Sequence, residues 1–192
     1  MHHVTNLNDL DAAREDVSAS SAGGAPFLIV FGATLAICAV ASFFVPRQTA
    51  ALMVMFQGGV ALPLAFILER RMSRKAMAPD NPLRPLSIQM AMSQSVALPV
   101  VIAMYSLNPG AVPLAMASIG GGHFLPYAWL QRTRAYVVLG VAVAVGAYAI
   151  QMALGARAFP YVLLFMTACY WIAAPVVYRR ATSSRPLPAS VR

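Results

Sequence analysis

The sequence predicts an all-α membrane protein of six transmembrane helices, with both termini on the cytoplasmic side. Three observations carry that expectation: an apolar composition, six charge-free stretches of spanning length, and arginines gathered on one side of those stretches. Hydrophobic residues make up 59% of the chain and charged residues 10%, with a mean hydropathy of +0.67. A water-soluble fold of this size would have to expose much of that surface.

The first stretch, residues 26–45, follows a polar segment, 1–25, read as a cytoplasmic N-terminal tail with room for a surface helix at its start and a flexible lead-in at 18–24. The run "PFLIVFGATLAICAVAS" ends in small residues that resemble a cleavage site. The preceding segment, however, carries Asp9, Asp11, Glu15 and Asp16 against Arg14 alone, the opposite of a short basic signal-peptide start, so this helix is expected to be retained. The second stretch is 51–68. The third and fourth, 86–106 and 112–130, come from one charge-free run that is too long for a single span. The Asn-Pro-Gly of "SLNPGAV" (106–112) splits it. The fifth and sixth are 136–156 and 159–178. Each stretch is close to the ~20 residues a helix needs to cross roughly 30 Å of hydrocarbon. The transmembrane domain is thus 26–180, and 181–192 is a basic cytoplasmic tail.

Orientation follows from the positive residues. Arg70, Arg71, Arg74, Lys75 and Arg84 follow the second stretch, Arg132 and Arg134 the fourth, and Arg179, Arg180, Arg185 and Arg192 the sixth. Arg47 and Arg157 alone fall on the opposite side, so the positive-inside rule puts both termini in the cytoplasm. The net charge of +8 is therefore mostly a topology signal. No nucleic-acid motif accompanies it, and nucleic acid is not an expected partner. The expected partners are the bilayer, anionic lipid headgroups drawn to "RRMSRK", and a second copy or another membrane protein.

An internal echo relates the second and fourth stretches. "GGVALPLAFILERR" (58–71) and "GGHFLPYAWLQRTR" (121–134) share six identities in fourteen positions, including Gly58 with Gly121, Gly59 with Gly122 and Pro63 with Pro126. The sixth stretch adds a faint third copy, "WIAAPVVYRR". Such an echo fits parallel two-helix-hairpin repeats, which in some transporters place a site at the repeat interface.

His123 is the one ionisable side chain expected deep in a span, and such residues usually face a bundle interior or a water-filled cavity. Tyr127 shares its helix face one turn on. Gly120, Gly121 and Gly122 permit close helix approach or a local break. Pro126 leaves the carbonyl of Gly122 without its helical donor. Two readings stand side by side: a neutral imidazole bonded to a neighbouring helix in tight packing, or a ligand- or proton-handling site. Gln89 and Ser93, with Gln94 beside them, form a polar stripe on the third span, and Gln57 precedes the glycine pair of the second. Each either glues helices together or lines a cavity with His123.

Other features point to packing. Gly32 with Ala36, and Ala142, Gly146, Ala149 and Ala153, form small-residue stripes. Cys38 and Cys169 lie inside spans without CxxC spacing and serve as small apolar residues. Glu69 is expected to snorkel to Arg70, Arg71 or Arg74, and Trp129, Tyr136, Tyr161 and Tyr178 to anchor at the interfaces. HExxH, CxxC, GxSxG and Walker patterns are absent from the sequence, so neither a metal site nor a cofactor is expected, and no enzymatic activity is assigned.

"GGVALPLAFILER", "NPL" (81–83) and above all "VPLAMASIGGGHFLPYAWLQRTRAYVVLG" resemble a family of uncharacterised bacterial six-helix membrane proteins, a domain of unknown function. The resemblance runs from Gly58 to about the fifth helix and implies an inner-membrane protein with no established activity. The chain departs from it at Gln131, Arg132, Thr133 and Arg134, where relatives tend to have a Tyr-Gly turn. The functional expectation is a small-solute or proton-linked permease. The alternative is a non-catalytic sensor or assembly subunit that packs with partner proteins.

Overall fold

The computed structural model describes residues 7–73 and 75–183, and among them it is helical, with no strand. Its α-helices are α1 (Leu7–Ser20), α2 (Ala25–Ala41), α3 (Arg47–Met72), α4 (Arg84–Met92), α5 (Leu98–Leu107), α6 (Val112–Leu130), α7 (Ala135–Leu154) and α8 (Ala158–Ser183). Four helical stretches are long and apolar enough to cross a membrane: Ala22–Ala41, Arg47–Met72, Arg84–Leu107 and Ala135–Ser183. The last turns back at Gly155–Arg157, which separates α7 from α8. α6 falls outside that set because its three glycines, two prolines and His123 dilute its hydropathy over 19 residues. The histidines at 2 and 3, Arg74, Arg185 and Arg192 lie outside the described residues.

α2 packs on α3, α6 on α7 and α7 on α8, and glycines set how closely several of these pairs approach. At α2 and α3, Phe27 meets Phe66 edge-on at a centroid distance of 5.2 Å, and the Thr34 hydroxyl donates to Gln57 Oε1. α8 lies on the other side of α2. There Thr167 Oγ1 donates to the Gly32 carbonyl at 3.1 Å, and Trp171 Nε1 donates to the Ile29 carbonyl at 3.1 Å. α6 and α7 approach through Gly121 and Gly140: a Cβ at Gly121 would sit 2.6 Å from the Gly140 carbonyl oxygen. α7 meets α8 where Gly146 lies against the Phe165 ring. The core runs through these contacts, with Phe159, Leu163, Val143, Val54 and Leu35 almost fully buried. At the opposite end from α1, Arg47 stacks on Phe159 at 4.6 Å.

Three features differ from the sequence-based expectations. First, 7–20 is a helix docked on the bundle, and residues 18–24 are not a flexible lead-in. Val17 and Ala13 pack against Leu83, Met90 and Leu130. The chain then turns through Ala22, Gly23 and Gly24, with φ of 51°, 66° and 80°. Gly23 suits this corner twice over, since a Cβ there would be 2.6 Å from the Val177 carbonyl oxygen. Second, the third expected span is a broken rod: α4 gives way to a 3-10 stretch, Ser93–Ala97, before α5. Pro99 explains the break, because its ring clashes with the carbonyl one turn earlier and it has no N–H to donate. Third, Tyr136 is not an interfacial anchor. It is buried, and its hydroxyl donates to the Gly23 carbonyl at 2.6 Å. The Asn-Pro-Gly turn is found as expected, with Asn108 Oδ1 accepting from Gly110 N–H at 3.1 Å.

Candidate functional site

The sequence-predicted polar residues meet where the rod breaks. Ser93 Oγ lies 3.0 Å from His123 Nδ1 and also donates to the Met90 carbonyl at 2.7 Å. A hydroxyl has one proton. With that proton on Met90, the shared bond is donated by His123 Nδ1–H, and Nε2 is left as an acceptor with no hydrogen-bond partner among the described residues. The Tyr127 ring stands edge-on to His123 with a centroid distance of 5.1 Å, as their spacing on one helix face predicts.

Next to this pair the structure brings in groups from two other elements. A Cβ added at Gly120 would lie 3.4 Å from the Tyr170 hydroxyl and 3.8 Å from Gln94 Nε2, so both side chains flank one point on α6. Tyr170 is only 6% exposed, and neither it nor Gln94 makes a side-chain hydrogen bond among the described residues. Buried tyrosine hydroxyls normally find a partner. Ser93 and Gln94 are solvent-accessible although they point at α6, and a Cβ on Gly122 would meet nothing within 4 Å. The rod thus meets α6 along an exposed polar cleft whose side chains leave hydrogen-bonding capacity unmet. Its wall is aromatic. Phe124 contacts Tyr170 at 5.4 Å and Tyr136 at 5.8 Å, and Tyr136 contacts Tyr127 at 5.9 Å.

Not every candidate joins the cleft. Gln57 is taken up by Thr34 between α2 and α3. Gln89 is exposed on α4, without a hydrogen-bond partner among the described residues. Gly121 serves close packing against Gly140, and the echoed glycines differ from it, with Gly58 3.9 Å from Phe31 and Gly59 open. Pro63 and Pro126 both stay inside continuous helices and are exposed. Glu69 makes no close ion pair with Arg70 or Arg71, although the Arg70 charge acts on it and it lies within electrostatic reach of Tyr127; Arg74 lies outside the described residues. Tyr170 went unnoticed in the sequence. Its signal was there, since Leu163, Met166, Thr167, Tyr170, Ala174 and Val177 recur at helical spacing on the buried face of α8.

A second polar region forms around α1. Asp16 accepts from Lys75 Nζ at 2.6 Å, Asn81 Nδ2 at 2.8 Å and Ala78 N–H at 3.0 Å. Burial alone would raise the Asp16 pKa, but the hydrogen bonds from Lys75, Asn81 and Ala78 and the Lys75 charge outweigh it and hold it below the ordinary value. Arg14 donates to the Trp129 carbonyl and stacks over its ring at 4.6 Å, while Asp11 pairs with Arg132 at 3.5 Å. A shallow groove between α2, α3 and α8 is apolar, lined by Ala25, Ile29, Met72, Trp171 and Tyr178, and lies apart from His123. No group of three or more metal-binding side chains is found among the described residues.

No curated protein and no solved structure matches the chain. A family model does, from α1 to the last turns of α8. The chain belongs to a family of unknown function, DUF7010, whose model matches residues 10–180.

Proposed function

We propose that this chain is a six-pass protein of the bacterial cytoplasmic membrane, with both termini cytoplasmic, and that it is a small-solute or proton-linked permease. The observation that carries the reading is the broken rod facing His123. A span that tightens into a 3-10 stretch near its middle, with Gln94 on it and an imidazole and the Tyr170 hydroxyl facing it, puts polar groups in hydrocarbon at a cost and resembles the discontinuous helices transporters use at their sites. His123, Ser93 and Tyr127 form the proposed site. Gln89 and Gln57 stand outside it. The orientation is supported by Arg70, Arg71, Arg84, Arg132 and Arg134, which fall at the end of the bundle that carries α1. The same basic end would meet anionic lipid headgroups.

The test is flux into proteoliposomes, read by light scattering for solutes and by an internal pH dye for protons. Flux that depends on the protein and falls in His123→Asn and Ser93→Ala is expected. Vesicles no leakier than protein-free ones would overturn the permease reading. Cysteine accessibility from each side, in a variant lacking Cys38 and Cys169, checks the orientation. Labelling of residue 78 from the outside would overturn it.

A further inference from the structure

We propose that the cleft takes a small uncharged solute, one bearing hydroxyl or amide groups, and that Gln94 and Tyr170 are its specificity-determining residues. This deepens the permease reading and rests on it. The first argument is charge. The chain has six acidic residues; Asp9, Asp11, Glu15 and Asp16 lie on α1, Asp80 lies in the connection before α4, and Glu69 lies in the last turn of α3 beside Tyr127. Among the described residues Arg14 lies on α1, outside the spans, and the other lysines and arginines fall at helix ends or in connections. None of these charges lies on the Ser93–Ala97 stretch or on α6, where Glu69 reaches only the Tyr127 end, so an ion at the break would give up its hydration without a counter-charge in contact.

The second argument is ligand number. A hard cation takes about six oxygens, whereas the cleft's side chains supply Ser93 Oγ, already engaged with Met90 and His123, and the oxygens of Gln94 and Tyr170. An anion would need donors backed by positive charge, and His123 Nδ1 is committed to Ser93. What remains is a set of neutral donors and acceptors: the Gln94 carboxamide, the Tyr170 hydroxyl and His123 Nε2. They stand along an aromatic wall of Phe124, Tyr127 and Tyr136. A carboxamide beside a phenol complements a solute that both donates and accepts, with aromatic edges against its carbon face. Gly120 is what admits the pair, because a Cβ there would crowd the Tyr170 hydroxyl at 3.4 Å.

The experiment uses the full chain in proteoliposomes and compares glycerol, urea and acetamide with protons, sodium and chloride. Glycerol, urea or acetamide flux is expected, with each of Gln94→Leu and Tyr170→Phe lowering it about tenfold, the consequence of one lost hydrogen bond to a bound solute. Ser106→Ala, on the same rod and bonded only to the Ile102 carbonyl, is expected to leave flux unchanged. If Gln94→Leu fails to fold, Gln94→Met and Tyr170→Phe report on the two groups separately. Protein-dependent flux of protons, sodium or chloride without neutral-solute flux would overturn this inference and leave the permease reading standing. Neutral flux indifferent to both variants would overturn the residue assignment. No protein-dependent flux of any probe would overturn the permease reading itself.

Discussion

The Tyr136 hydroxyl donates to the Gly23 carbonyl at 2.6 Å, tying α7 to the left-handed corner between α1 and α2 across 113 positions of sequence. That carbonyl belongs to a residue with φ of 66°, outside any helical ladder, and the bond is buried. Tyr136→Phe keeps the ring contacts with Phe124 and Tyr127 and removes the donor alone. The expected cost is about 1–3 kcal/mol, because a buried carbonyl is left unsatisfied. Thermal unfolding in detergent checks it, and an unchanged midpoint would mean that water replaces the hydroxyl.

Close approach of α6 and α7 makes a contrast between two glycines of the echoed pairs. Gly121→Ala would drive a methyl to 2.6 Å from the Gly140 carbonyl oxygen and 2.9 Å from Ala144 Cβ. Separating the helices is expected to cost about 1–3 kcal/mol. Gly59→Ala meets nothing within 4 Å, and alanine is favoured over glycine in a helix by about 1 kcal/mol. It is expected to be neutral or stabilising. Unfolding midpoints of the two variants should therefore move in opposite directions or by clearly different amounts. Equal losses would refute the packing account.

Much of this architecture was legible in the sequence because hydropathy and turn chemistry are local. The candidate stretches at 51–68, 86–106, 112–130 and 159–178 lie within helical segments of the structure, 26–45 and 136–156 overlap α2 and α7 and run past their C-terminal ends, and Asn108 turns the chain where it was expected to. Of the candidate site, His123, Ser93 and Tyr127 were legible as a group, since one ionisable residue among apolar spans singles itself out. What was not legible depends on partners far along the chain. The docking of α1 needs Lys75, Ala78 and Asn81 to arrive at Asp16. Near a span end, Tyr136 reads the same whether its hydroxyl meets headgroups or the Gly23 carbonyl. The break at Ser93–Ala97 had a local cue in Pro99, but a charge-free run masks it because hydropathy carries no information on hydrogen-bond continuity.

Asp16 gives the docking of α1 a pH dependence of defined sign. Its carboxyl is held below the ordinary value of 3.8 in the folded chain. A depressed carboxylate contributes stability that is present above its unfolded pKa and is lost as pH falls through the folded one. α1 is thus expected to stay docked at neutral pH and to loosen in acid, below the usual carboxylate range. Asp16→Asn imitates the protonated state at pH 7. It is expected to speed trypsin cleavage after Arg14 several-fold, since the Arg14 guanidinium is otherwise engaged with the Trp129 carbonyl and Asp11. Cleavage at the wild-type rate would mean that Val17 and Ala13 hold the helix by apolar contact alone.

The bond between Ser93 and His123 predicts a tautomer. With the Ser93 proton on the Met90 carbonyl at 2.7 Å, the tautomer that completes the 3.0 Å contact carries its proton on His123 Nδ1 and offers the Nε2 lone pair to the cleft. Nitrogen NMR of labelled imidazole in nanodiscs, with the histidines at 2 and 3 replaced, reads this directly. The wild type is expected to show a protonated Nδ1 and an unprotonated Nε2, with the bias reduced in Ser93→Ala, where the acceptor is gone. A protonated Nε2 in the wild type would reverse the assignment. Ser93 would then donate to the ring, the Met90 carbonyl would keep only the Ser93 backbone N–H, and the cleft would present a donor to its solute where an acceptor is expected.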